Sequence, residues 1–406
     1  MYYNCLRHNS GARTGGDFTT FFTAVVVSYL IGSIPWSYLF AKLFSGKDLR
    51  KVGTKNVGAT NAWYEAGPIA GVLGFSGDST KSLFAVLFAY ALGISKTWWP
   101  LFALIAIIGH SWPIWLGGKG GIGLAAAIGA FVAIFPLESA AFGILGGTLW
   151  LTLDKGLTFA IFSAIWPFVI LIGYFRGTID LVGAILTVVL AVWLIVRGWD
   201  NLKSSYSHAR EPLRSTFVRR KLLRYTGLLF PVLAYPLWGP VVFRYIVMVS
   251  GIIALVLEIM RRFWKGLNDV LRKAFRPVGK SEEAFKFSGT SYFLIGCAIA
   301  SLFPVPYSLI AILMLTLGDS WAAMVGKRWG KHMWLSGKSV EGSLACLFIC
   351  LASGAVYMNL ISMPISYFAL VVGALAATII EGLGNWINDN LTIAPTSAFF
   401  MWLISL

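Results

Sequence analysis

Charge is what this 406-residue chain has least of. Asp, Glu, Lys and Arg together make up 12% of it, against roughly 25% in an ordinary soluble domain. That is too little polar surface to coat the two or three soluble globules that the length would otherwise suggest. Cysteine is also scarce, with four residues, so no disulfide framework is implied. Cys346 and Cys350 sit one helical turn apart in an apolar run. With no third Cys or His nearby, they read as small residues at a helix contact and not as a metal site. No stretch of one half repeats in the other, which argues against an inverted-repeat transporter. No small-residue cleavage site follows the first apolar run, so that run is expected to be a retained helix and not a signal peptide.

Hydrophobic residues, in contrast, reach 57%, and the net charge is +16. The positive charge is gathered in short clusters between long apolar runs, as in membrane proteins. Disordered and nucleic-acid-binding classes are excluded. The apolar pattern predicts an all-α, polytopic membrane bundle of about fourteen spans in two sets of seven. The first set is 20–43, 67–94, 98–116, 121–136, 137–153, 156–174 and 179–197. The second is 223–240, 243–263, 288–305, 307–327, 343–362, 364–386 and 392–406. The expected organisation is a tail at 1–18, a first domain at 19–205, a basic cytoplasmic linker at 206–222 and a second domain at 223–406. With the N-terminus outside, the Lys and Arg left on the outer face are Arg7, Arg13, Lys96, Arg176 and Arg244. The remainder fall in cytoplasmic segments or within the spans, a strong positive-inside bias for a plasma-membrane protein.

Two polar clusters stand out in the first half. Gly32-Ser33-Ile34-Pro35 lies inside the first helix, followed by a loop running from Asp48 through Arg50, Gly53, Thr54, Asn56 and Gly58 to Asn61. Glycines for tight turns, neutral hydrogen-bonding side chains and several cations suit a phosphate at a membrane surface. Gly109-His110 leads to a second loop, Gly117-Gly118-Lys119-Gly120-Gly121, which opens a helix and can wrap backbone N–H groups around an anion. Asp78 with Lys81, and the segment Arg197–Leu202, complete the set.

Together these segments closely resemble the PlsY-type glycerol-3-phosphate acyltransferases over residues 20–205. That resemblance implies acyl transfer from acyl phosphate to glycerol 3-phosphate, with no metal or cofactor. It also implies catalytic roles for Ser33 and Asn201, and substrate binding by Arg50, Gly53, Thr54, Asn56, Asn61, His110, Lys119, Gly120 and Gly121. Three positions depart from the family pattern. Gly198 stands where the family has a histidine, Ile122 replaces the second lysine of the glycine loop, and Thr54 replaces a serine. Loss of an imidazole beside the reacting hydroxyl removes an effect typically worth roughly 10²–10⁴-fold. The half is then inactive, uses another acceptor, or relies on the substrate's own phosphate.

In the second half, Asp319 lies within an otherwise apolar span, a costly position that is functional by default. A structural ion pair is the competing explanation. Glu381 and Asp389 at another span end bring three acids to one level, with lysines and glycines nearby. The blocks Gly318–Lys331, Gly337–Ser343 and Asn385–Thr392 resemble the dolichol/phytol kinase group of CTP-dependent lipid kinases over about 219–400. That resemblance implies Mg²⁺ with CTP: Asp319 and Asp389 on the metal, Lys327, Lys338, Ser339 and Gly342 on the nucleotide, and catalytic roles for Asp319 and Glu341. The chain is thus expected to be a fusion of two membrane-lipid enzymes. The alternatives are a kinase with a structural first half, or a lipid transporter with degenerate motifs. Oligomeric state, lipid alcohol and acyl chain are not encoded legibly.

Overall fold

The computed structural model describes residues 18–152, 180–197, 199, 215–275, 287–333, 337–383 and 388–406. Among these, every assigned element is helical apart from one isolated bridge between Met333 and Ser339. The chain divides into two compact units. The first comprises 1–139 and 159–203, the second 140–158 and 204–406.

The first unit contains α1 (Phe18–Ser33), α2 (Trp36–Ser45), α3 (Ala59–Ala66), α4 (Pro68–Ala91), α5 (Trp99–Ser111), α6 (Leu124–Ile134) and α8 (Leu181–Arg197). Helix α7 (Pro136–Thr152) begins in this unit and passes to the second from Ala140 on. The expected span 20–43 is therefore broken. Pro35 lacks an N–H and drives Ile34 away from helical geometry, so α1 and α2 are separated by Ile34 and Pro35. The break leaves the Ile34 carbonyl without a helical partner, and the buried Lys81 Nζ donates to it at 3.1 Å. Non-helical backbone at membrane depth persists only where such partners exist. Helices α1 and α5 approach closely through small residues. A Cβ on Gly32 would lie 2.1 Å from the Ala106 carbonyl oxygen, and one on Gly109 would lie 2.5 Å from that of Tyr29. The expected span 156–174 lies outside the described residues.

The second unit is built round α13 (Val305–Trp329), which is buried continuously from Ser308 to Ser320. A helix surrounded by neighbours needs no polar face, which explains its nearly all-round apolar sequence. Against it pack α9 (Thr216–Tyr225), α12 (Gly289–Ala300), α14 (Val340–Leu360), α15 (Tyr367–Gly382) and α16 (Asp389–Ile404), and α10 (Tyr235–Phe263) packs on α12. α11 (Lys265–Phe275) lies within the expected 264–287 loop. The expected pair 223–240 and 243–263 runs through a π-turn, Phe230–Ala234, into α10, which is kinked next to the expected boundary. Its break falls at Gly239, whose φ of 74° lies in the left-handed region. The region read as a linker, 206–222, is helical from Thr216 as part of α9. Burial of Lys221 against α13 orders it.

Among the described residues, five helical segments are long and apolar enough to cross a membrane: Phe18–Ser45, Lys96–Leu116, Thr216–Phe263, Val305–Trp329 and Val340–Leu360. Helix α4 has 24 residues, but Asp78, Lys81 and several Gly and Ser dilute its apolar character.

Candidate active site

The loop from Gly46 to Gly58 is folded round one amide. Asn61, buried at the start of α3, donates through Nδ2 to the carbonyls of Leu49, Val52 and Asn56 at 3.2, 3.2 and 3.0 Å. Its Oδ1 accepts from the Thr54 N–H at 3.1 Å. Asn61, expected to touch substrate, has its amide fully engaged in shaping the loop. Gly53 takes φ 57°, and a Cβ there would lie 2.3 Å from Asn61 Oδ1, so only glycine fits. Arg50 grips Asp48 through two parallel bonds, Nε to Oδ1 at 3.0 Å and NH2 to Oδ2 at 2.8 Å. Hydrogen bonding from Arg50 holds the Asp48 carboxyl down at about 2. The guanidinium also lies 5.2 Å from the Tyr38 ring centre.

A buried polar cluster lies on α2, α4 and α5. Asp78 pairs with Lys81 at 2.9 Å and accepts from Ser37 Oγ at 2.5 Å, with both members of the ion pair wholly enclosed. His110 Nδ1 stands 3.6 Å from the same carboxylate. The other imidazole nitrogen faces the glycine loop: a Cβ on Gly121 would come within 2.2 Å of His110 Nε2 and 2.8 Å of the Val57 carbonyl. Gly121 donates to the His110 carbonyl and Gly120 to that of Ser111, both at 3.2 Å. Arg197, at the end of α8, donates to the Gly121 carbonyl at 3.3 Å and stacks on Trp112.

The two loops read from sequence thus meet at Gly121, with His110 between them. Lys119 is exposed at the tip of its loop and Thr54 is exposed on the other, while Asn56 is half-buried. Ser33, at the end of α1, is wholly buried, and its Oγ has no hydrogen-bond partner among the described residues. Asn201 lies outside the described residues. Ser37, Asp78, Lys81 and Arg197 were not singled out as site residues. An Asp and a Lys one turn apart in an apolar helix, and an Arg closing another, were the available signals.

The second unit has a cavity of about 660 Å³, lined by cations from three elements: Arg220, Lys221 and Arg224 of α9, Lys327 of α13, and Lys338. Asp319, Glu381 and Asp389 are the acids on its wall. Asp319 Oδ2 is held by Lys221 Nζ at 2.8 Å and pairs with Arg224. Lys338 Nζ bridges Glu381 Oε1 at 2.8 Å and Asp389 Oδ2 at 2.9 Å. Burial pulls the Lys338 ammonium down, but the two carboxylates outweigh it and push it above its ordinary value. Ser339 Oγ caps α14 by accepting from the Gly342 N–H at 3.1 Å. Glu341, expected to be catalytic, pairs instead with His332 Nδ1 at 2.7 Å and is not on the cavity wall. The Mg²⁺ ligand set fits this arrangement poorly. Both expected donors, Asp319 and Asp389, are bound by the chain's own cations, and no three metal-type side chains converge among the described residues. The wall as arranged suits an anion.

Residues 22–208 match the sequence model of the family described as glycerol-3-phosphate acyltransferase. The glycerol-3-phosphate acyltransferase of Geobacter sulfurreducens is 36% identical over 182 residues, covering 44% of this chain and 89% of that protein. Glycerol-3-phosphate acyltransferase 4 of Dehalococcoides mccartyi is 36% identical over 157 residues, covering 38% and 85%. The crystal structure of the integral membrane acyltransferase PlsY in its glycerol 3-phosphate form aligns with 47% of this chain and 94% of its own, at 30% identity and a TM-score of 0.41. The motifs that meet at Gly121 fall inside the matched region, and through residues 22–208 this chain belongs to the glycerol-3-phosphate acyltransferase family.

Proposed function

We propose that the first unit transfers an acyl group from acyl phosphate to glycerol 3-phosphate at the junction of the two loops. The observation that carries this reading is the meeting of the Asn61-latched loop and the glycine loop beside His110, with Arg50 and Lys119 on those loops. Two anions must be brought together against their own repulsion, and cations with backbone N–H groups do this. The acceptor hydroxyl oxygen bonds to the acyl carbon, and the bond from that carbon to the phosphate oxygen breaks. Inorganic phosphate leaves, and the hydroxyl proton goes to a phosphate oxygen, since position 198 is glycine. Acyl phosphate is already activated, so positioning and charge stabilisation suffice. The test is formation of acylglycerol phosphate from acyl phosphate and labelled glycerol 3-phosphate by the purified full chain. Absence of both product and glycerol 3-phosphate binding would sink the reading. Gly198→His is expected to raise turnover if the missing imidazole limits the rate.

Arg50→Met is expected to raise the KM for glycerol 3-phosphate by about ten- to a hundredfold, the range for a lost charge-assisted hydrogen bond. The pH dependence is also defined. A depressed carboxyl contributes fully above the ordinary aspartate value of about 4 and is lost only as pH falls through about 2. Between pH 5 and 8 the Asp48–Arg50 pair therefore stays charged. Over that range the pair itself should add no inflection to the pH dependence of affinity. An additional inflection that disappears in Asp48→Asn would contradict this. The Lys and Arg bias supports placing both loops in the cytoplasm. Labelling of Ser204→Cys from outside intact cells would refute that orientation.

A second reading is favoured by the cationic cavity: in the second unit the hydroxyl oxygen of a lipid alcohol bonds to the terminal phosphorus of CTP, the bond from that phosphorus to its bridging oxygen breaks, CDP leaves, and the hydroxyl proton goes to a phosphate oxygen. Labelled CTP with a panel of polyprenols, phytol and diacylglycerol tests it. Failure to label any lipid would remove it.

A further inference from the structure

Lys221 is an unusual residue for a membrane-embedded unit: a buried ammonium on a short helix, donating to both the carboxylate and the backbone carbonyl of Asp319, at 2.8 and 3.2 Å. Arg224, one turn further on, pairs with the same carboxylate oxygen. Two cations on one carboxylate leave a net positive charge, and both line the 660 Å³ cavity together with Arg220, Lys327 and Lys338. Five cationic side chains and three carboxylates line it. Lys327 is held at the rim, its ammonium 4.4 Å from the Phe217 ring centre. The same carboxylates that would have to bind a divalent metal are the ones these cations occupy.

We infer that Asp319 is a resting counter-ion and not the first ligand of a metal, and that Lys221 and Arg224 are positioning residues that exchange it for the phosphates of a polyphosphate anion. Asp319 holds the two cations extended towards the cavity while it is empty of anion. An arriving polyphosphate offers several strong acceptor oxygens in place of one carboxylate, and guanidinium and ammonium groups both bind such oxygens. Both cations keep an anionic partner before and after the exchange, and the displaced, buried Asp319 carboxylate takes up a proton, because an unpaired buried charge is costly. The cavity therefore takes polyphosphate in the absence of any divalent cation. The inference rests on the kinase reading only for the length of the anion.

The experiment is calorimetric titration of the purified full chain in detergent with tripolyphosphate and with CTP, both in excess EDTA, and separately with Mn²⁺ alone. Tripolyphosphate and CTP should bind, and Mn²⁺ alone should not. Lys221→Met and Arg224→Met should each weaken tripolyphosphate by about tenfold or more. Asp319→Asn, which removes the competitor for the cations, should tighten it. A metal ligand would leave EDTA binding unchanged in that variant and weaken only metal-dependent binding. Should Asp319→Asn fail to fold, the two cation variants carry the test. No tripolyphosphate binding in EDTA, unchanged binding in both cation variants, or tight Mn²⁺ binding by the free protein would each overturn the inference. Tripolyphosphate binding without labelling of any lipid by CTP would overturn the kinase reading and leave the anion site standing. Labelling without binding in EDTA would do the reverse.

Discussion

Exchanging Lys81 for methionine is expected to destabilise the first unit by about 3–5 kcal/mol, the range for removing one partner of a buried ion pair. Lys81 and Asp78 are wholly enclosed and 2.9 Å apart. The variant also removes one of the two donors to the Ile34 carbonyl, leaving it only the Trp36 N–H, at the point where Pro35 breaks the helix. Asp78 would keep only Ser37 and His110 as partners. The double variant Asp78→Leu/Lys81→Met removes both charges and should recover much of the loss, because an apolar pair of similar volume often matches a buried ion pair. Thermal melting of the full chain in detergent measures it. The single variant should melt on the order of 10 °C lower, and the double variant closer to wild type. If the single variant melted like wild type, the pair would not be holding the broken helix in place.

The opposite pattern is expected at Ser33. Its Oγ is buried without a partner among the described residues, so Ser33→Ala leaves no new unsatisfied group and removes a desolvated hydroxyl. Stability should be unchanged or slightly raised. Acyl transfer should fall by about 10²–10³-fold, the range for losing a hydrogen-bond donor to developing charge. Turnover and melting temperature measured on one preparation separate the two effects. A variant that melts early and transfers normally per folded molecule would assign Ser33 to packing alone.

Membrane embedding, the all-helical class and the acyltransferase motifs were legible from residue order, because each is local. A run of apolar residues, a proline inside it and a glycine loop state their meaning within one segment. Most of the helices fell close to their expected positions for this reason. Where the chain breaks was less accessible. The Pro35 interruption needs a partner elsewhere before the helix can tolerate it, and Lys81 is 47 residues from the Ile34 carbonyl to which it donates. The role of Asn61 was likewise invisible: an amide within a polar loop reads as a ligand until its four backbone partners are seen. Asp319 shows the limit most plainly. Composition marks it as an expensive charge in an apolar helix, and nothing local says which cation answers it. Lys221 lies 98 residues earlier, in a stretch that reads as a solvated basic linker. Charge pairing acts through space over a few ångströms and is indifferent to separation along the chain. The sequence alone thus determined that the charges exist and that they must be paired, and the tertiary structure decided which groups pair and which cations face the cavity.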